Sequence, residues 1–241
     1  MNTTIDVDNQ DKHSFNLGFW GALLTGVLNF MYFVPFVLYQ PTLHAEWHGL
    51  ASYSSSFNPI PFVAWVVPCM LLPITFLIMI ACLYHQTKGP KRIFGLLSLV
   101  FAVMYGAVLT PNYYIQLTMV QHNLVKGNID GLSLWLYAFP YPYSIPGALE
   151  GIGFGFMCVS FIFAARVFGK GGLDRWLFWT FLGNGVCGSA VFTDLIAPLP
   201  HIVVMIDLVL EGILLAAAPF LMAVLFRKKI ILLRGGPVKT V

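Results

Sequence analysis

Six long apolar stretches dominate the chain, at residues 16–39, 59–84, 92–118, 146–168, 174–197 and 202–227. A helix needs about 20 mostly apolar residues to cross the hydrocarbon core of a bilayer, and each stretch reaches that length. Inside hydrocarbon every backbone N–H and C=O must find its partner within the protein, which for isolated long apolar runs means the α-helix. The chain is therefore expected to be all-α: a polytopic transmembrane helical bundle of six spans, forming one integral-membrane domain over 1–241. Composition points the same way. Of the 241 residues 58% are hydrophobic and 10% charged, against roughly 45–50% and about 25% in an average globular chain. A soluble domain of this size has too much surface facing water to hide such a chain. These figures exclude a cytosolic enzyme, a nucleic-acid binder and a disordered chain.

The basic residues give an independent reading of the same count. With six spans and the N-terminus inside, twelve of the thirteen Lys and Arg residues fall on the inner side, and only Lys126 lies outside. That asymmetry is the positive-inside pattern. It predicts cytoplasmic N- and C-termini in a plasma or endoplasmic reticulum membrane. The basic C-terminal stretch reads as a cytoplasmic-face anchor. The segment 131–144 is apolar and aromatic, but Pro140 and Pro142 shorten it. It reads as an interfacial or re-entrant piece with Trp135, Tyr137, Tyr141 and Tyr143 at headgroup level, and counting it would give seven spans. Asp6, Asp8 and Asp11, followed by an apolar run too long for a leader, argue against a cleavable signal peptide. The cysteines (Cys69, Cys82, Cys158, Cys187) all fall inside apolar segments. They read as small buried hydrophobes, which supports neither a disulfide framework nor a metal site.

Ionisable residues inside spans are costly and mark functional sites by default. Four qualify: Glu150, Asp194, Asp207 and Glu211. Entering the last span from outside places Asp207 about 8 Å and Glu211 about 14 Å deep at 1.5 Å per residue. Glu150 and Asp194 lie about one turn inside the outer ends of their own spans. All four occupy the outer half of the bilayer, and no basic residue is expected there to pair with them. Asp207 and Glu211, four apart, share one helix face. A neutral carboxylic acid in a dry pocket donates a proton and a neighbouring carboxylate accepts one, so such a set suits acid–base chemistry. The structural alternative is acids hydrogen-bonded between helices.

Around these acids stand further polar candidates. The outer loops hold His44, Glu46 and His48, then His122, Asp130 and His201. A proton-relay or substrate-orienting role suits them better than a metal, since the spacing is not HExxH. Span three ends in Pro111, Asn112, Tyr113, Tyr114 and Gln116. There the proline frees a backbone carbonyl and the aromatic rings can line a pocket or stabilise a carbocation. In span four Gly147, Gly151 and Gly155 recur every four residues as a small-residue stripe for close helix contact, with Glu150 beside it.

The stretches NYYIQLTMVQHNLVKGNIDGLSLW (from Asn112) and SIPGALEGIGFGFMCVSFIFAARVF (to Phe168) resemble a family of small polytopic membrane proteins without an assigned activity. In that family a Tyr-Ile-Gln-Leu helix precedes a loop and an A-L-E-x-x-G helix. The resemblance covers about a quarter of the chain, and implies that Gln116 and Glu150 belong to one site. In type alone, the chain is also similar to integral-membrane terpene cyclases. Those are small and all-helical, and use embedded acids to protonate an epoxide or alkene; no residue is carried over from them.

These features predict a membrane-embedded acid–base enzyme of the cyclase or isomerase type. Its substrate is expected to be lipophilic, isoprenoid-derived, and bound in the outer or lumenal half of the bilayer. Glu211 or Asp207 would be the proton donor, and Glu150 and Asp194 the partner base or orienting groups. Asn112, Tyr113, Tyr114, Gln116, His44, Glu46, His48 and His201 would contact substrate. No cofactor, metal or nucleic acid is expected; the partners are the lipophilic small molecule and membrane lipids. The alternatives are a proton- or cation-coupled small transporter or channel, in which the same acids carry the ion, and a non-catalytic lipid-binding membrane protein.

Overall fold

The computed structural model describes the backbone of residues 3–39, 48–136, 144–194 and 201–234, with side chains at 11–34, 48–136, 144–188, 210 and 212–233. Among the described residues all regular structure is helical and no strand forms. In chain order α1 is Thr3–Tyr39, α2 Leu50–Ser55, α3 Pro59–Gln86, α4 Arg92–Ile115, α5 Gln121–Val125, α6 Ile145–Ala165, α7 Gly172–Asp194 and α8 His201–Arg234. Four helical stretches, Asp11–Val34, Pro59–Gln86, Gly89–Val125 and Ile145–Ala165, are long and apolar enough to cross a membrane. The backbones of α7 and α8 occupy the last two expected segments, and part of each lies outside the described side chains. From Gly131 to Leu136 the chain runs through turns, while Tyr137, Tyr141 and Tyr143 lie outside the described residues.

Local signals set the helix ends. Asn58 Oδ1 accepts from Ile60 N at 3.0 Å, and Pro59 opens α3, where the missing N–H costs nothing. Ser144 Oγ accepts from Gly147 N at 3.2 Å to cap α6. The reversal between α3 and α4 turns on Gly89, whose φ of 63° is left-handed and strained for any side chain. Pro111 does not end α4: the helix continues into a π-helical segment, Gln116–Val120, and then α5. Side chains take up carbonyls along this altered ladder, with Asn123 Nδ2 donating to Met119 O at 2.8 Å.

The six long helices form a ring. α1 packs on α3, α3 on α4, α4 on α6, α6 on α7, α7 on α8, and α8 returns to α1. Neighbours run antiparallel. Thr25 bonds Thr75 (3.0 Å), Trp65 meets Tyr113, Leu109 sits over Gly153, and Asn29 reaches Leu215. This alternation gathers Lys88, Lys91, Arg92, Arg166, Lys170, Arg175, Arg227, Lys228 and Lys229 at one end of the ring, called here the basic end. There Lys91 Nζ donates to the Val167 and Phe168 carbonyls at 2.9 and 2.8 Å, closing the C-terminal end of α6.

Small residues decide how close the helices come. On α1, Gly18 and Gly26 receive the Phe226 and Phe220 rings of α8; a Cβ on either would meet a ring carbon at 2.6 and 2.8 Å. Ala22 between them is fully buried. On α7, a Cβ on Gly185 would stand 2.8 Å from the Cys158 carbonyl oxygen of α6. In the α6 stripe, Gly151 is buried and Gly147 and Gly155 half-buried. It is Gly153, off that stripe, that takes Leu109 of α4. Toward the basic end the ring is filled by edge-to-face aromatics: Phe76 against Tyr105 (5.5 Å) and Phe161 (5.1 Å), then Phe161 against Phe181 (5.1 Å). All four are at most 1% exposed.

Candidate active site

The seam between α4 and α6 carries a run of polar groups. On α4 the buried register runs Ser98, Ala102, Tyr105, Leu109, Asn112, Tyr113 and Gln116, the spacing of one helix face. Near the basic end, the fully buried Ser98 and Ser160 hydroxyls lie 3.0 Å apart, and Ser160 Oγ donates to Ser98 O at 2.8 Å. At the opposite end Tyr113 Oη donates to Glu150 Oε1. One residue away, Asn112 Nδ2 donates to the Pro146 carbonyl at 3.3 Å. A phenol aimed at a carboxylate oxygen makes a charge-assisted bond, and its proton lies on the line between two groups able to hold it.

Two turns of α3 close around that bond. The Trp65 ring meets Tyr113 edge-on, with centroids 6.3 Å apart at 89°. The buried Cys69 thiol is within hydrogen-bonding reach of the Tyr113 hydroxyl. Tyr105 shares the neighbourhood: Cys69, Tyr32 of α1, Glu150 and Cys158 all interact electrostatically with its hydroxyl. Tyr113 is 1% exposed and Glu150 half-buried. The cluster is thus an acid (Glu150), three phenols (Tyr32, Tyr105, Tyr113) and two thiols (Cys69, Cys158) in an otherwise apolar interior, drawn from α1, α3, α4 and α6.

Several of the residues expected from the sequence are distributed differently. Tyr114, next to the central Tyr113, is 58% exposed on the outer face of α4. Gln116 is fully buried and its Nε2 donates to the Trp135 carbonyl at 2.9 Å, tying the connecting loop to α4. His48 is exposed before α2, and His122 and Asp130 are exposed on the α4–α6 side. His44 and Glu46 lie outside the described residues, as do the side chains of Asp194, His201, Asp207 and Glu211. The backbones of these last four belong to α7 and α8.

Above the pair sits a small second core. Val120, Leu124, Leu132 and Leu136 are buried together, with Leu50, Tyr53, Phe57, Met119 and Trp135 packed on them. Ile145 N donates to Leu134 O at 2.8 Å, so this cap is joined directly to the start of the helix that carries Glu150. Burial in the cap pushes the Tyr53 phenol up to about 12, because a phenolate there loses its hydration. Two shallow open grooves lie at this end, one lined by Ser54, Leu124, Lys126 and Ile129, the other by Ile60, Val63 and Gln121. Neither includes Tyr113 or Glu150. Among the described residues no three His, Cys, Asp or Glu side chains are grouped to hold a metal ion.

Sequence reasoning gives no site role to four interior residues. Cys69 and Tyr105 carry no periodic signal that separates them from ordinary core. Asn29 and Asn184, 3% and 2% exposed, do carry one: each is an amide in an apolar span, and the rule that flags embedded acids applies to it in weaker form. No family model, curated protein or solved structure matches the chain.

Proposed function

We propose that the chain is a membrane-embedded acid–base enzyme of the cyclase or isomerase type. It acts on a lipophilic, isoprenoid-derived molecule in the half of the bilayer away from the basic end. The observation that carries this reading is the Tyr113–Glu150 pair, a proton donor and acceptor held in register at a helix seam and walled by Trp65, Cys69 and Tyr105. Glu150 takes a proton from, or returns one to, the substrate carbon skeleton. Tyr113 holds the carboxylate in place and relays the proton. The facing aromatic rings suit a substrate that passes through a cationic state. Asp207, Glu211 and Asp194 are proposed as the second acid of the cycle, with Glu211 and Asp207 the preferred donors. The proposed topology is six spans with the basic end and both termini cytoplasmic, which the one-sided placement of Lys and Arg supports. The aromatic filling of the basic half weighs for an enzyme over a proton-coupled transporter, which needs a polar path through that half.

Native mass spectrometry of the protein extracted with its lipids tests the reading, wild type beside Glu150→Gln, Tyr113→Phe and Glu211→Gln. A lipophilic substrate and its isomer of equal mass, separated by chromatography after release, are expected with the wild type. In Glu150→Gln only the unconverted compound is expected, with conversion down about 10²–10⁴-fold, the usual worth of a positioned acid or base. Unchanged conversion in that variant would overturn the assignment.

A further inference from the structure

Two buried amides have one thing in common: each is pinned by its nitrogen and leaves its oxygen over. Asn29 Nδ2 on α1 donates to Leu215 O on α8 at 3.0 Å. That carbonyl is available because Pro219, four residues on, has no N–H to give it. Asn184 Nδ2 on α7 donates to Thr180 O at 2.9 Å. Since a carbonyl only accepts, neither amide can be turned over, and in both the Oδ1 atom is the acceptor. Both Oδ1 atoms are buried, and among the described residues neither accepts a hydrogen bond.

Their positions match in depth. Asn29 meets α8 at Leu215, and Gly183, beside Asn184, meets it at Leu214. The two amides therefore flank the same turn of α8 from the helices on either side of it. On the basic side of this level the ring is filled by Phe76, Phe161, Phe181 and Phe226. On the other side lie Tyr113 and Glu150. An acceptor left unmade in a low-dielectric interior is expensive, and two at one level call for a common explanation.

We infer that the Asn29 and Asn184 oxygens form the polar floor of the substrate site, and that the ligand is a lipophilic molecule bearing an O–H or N–H donor. Two carbonyl oxygens, each partly negative, repel carboxylate and phosphate, so a neutral alcohol is the chemistry that fits. This deepens the enzyme reading above and rests on it for the word substrate, but the binding preference stands apart from the acid–base step.

The probes are farnesol, a fifteen-carbon isoprenoid alcohol, and its methyl ether, which lacks the donor. Binding to the purified protein is followed by tryptophan fluorescence, corrected with protein-free micelles for partition into detergent. The wild type is expected to favour the alcohol about tenfold, the worth of one net hydrogen bond. In at least one of Asn29→Leu and Asn184→Leu the preference falls below about threefold, while affinity for the ether holds. In the absence of ligand, Asn184→Leu is expected to raise the Tm by about 2–4 °C, since it removes an unmet acceptor. Equal affinity for the two probes, binding of neither, or a preference that survives both substitutions overturns the inference. So does a lowered Tm in a folded Asn184→Leu, which would mean that the oxygen has a fixed internal partner. The two ideas fail separately: the alcohol preference in Asn29→Leu and Asn184→Leu bears on the floor, and conversion in Glu150→Gln bears on the acid–base reading.

Discussion

Tyr113 and Tyr114 are neighbours in sequence and opposites in environment, 1% and 58% exposed. A helix advances about 100° per residue, so a buried face that admits Asn112 and Tyr113 turns the next side chain, Tyr114, away from the interior. The buried register of α4, projected from Ser98 through Tyr105 and Leu109, selects Asn112, Tyr113 and Gln116 and leaves Tyr114 outside. That much is legible in the amino-acid order alone once the register is followed to the end of the segment. The bond from Tyr113 to Glu150 is not legible there. It joins residues 37 apart, and no local pattern states which face of α4 meets which face of α6. Tyr53 offers a test at this scale. The absorbance titration of wild type minus Tyr53→Phe is expected to show a phenolate transition near 12, because burial in the cap raises it. A transition near 10, the ordinary value for tyrosine, would show that the cap leaves this phenol in water.

Helices are the most readable level. A long helix covers each of the six apolar segments, and among the described residues four helical stretches are long and apolar enough to cross a membrane. The misses sit where side chains, not apolar length, decide. Apolar length ends span three near 118, whereas the helical path runs through the π segment to Val125. The glycines that set helix spacing are also only partly visible, because Gly153, Gly185 and Gly106 look alike in sequence. They differ in what faces them. Gly185→Ala is expected to destabilise by about 1–3 kcal/mol, since its Cβ meets the Cys158 carbonyl, a backbone atom that cannot swing aside. At Gly106 the nearest atom to a new Cβ is 3.8 Å away. There alanine is expected to be neutral or to stabilise by about 0.5–1 kcal/mol through helix propensity. Thermal unfolding of the two variants in one detergent checks the contrast; equal shifts would count against these seams.

For the molecule as a whole the ring order makes orientation testable. In sealed membrane vesicles of known orientation, Lys170→Cys is expected to react with a membrane-impermeant maleimide from the cytoplasmic side and Lys126→Cys only from the opposite side. The half-buried Cys187 is replaced in both. The reverse pattern would put the basic end outside and move the proposed site to the other leaflet.

Ring closure also has a schedule. Five of the six seams join helices that follow one another along the chain, but the last joins α8 to α1. The Asn29 amide and its Leu215 acceptor are 186 positions apart. At ribosomal speeds of about 5–20 residues per second, α1 stays in the membrane for roughly 10–40 s before the helix it is built for exists. During that interval Gly18, Gly26 and Asn29 present an unfilled, partly polar stripe to whatever else is in the bilayer. The nascent protein is thus expected to be open along α1 to capture by an insertion chaperone or by a protease until α8 arrives.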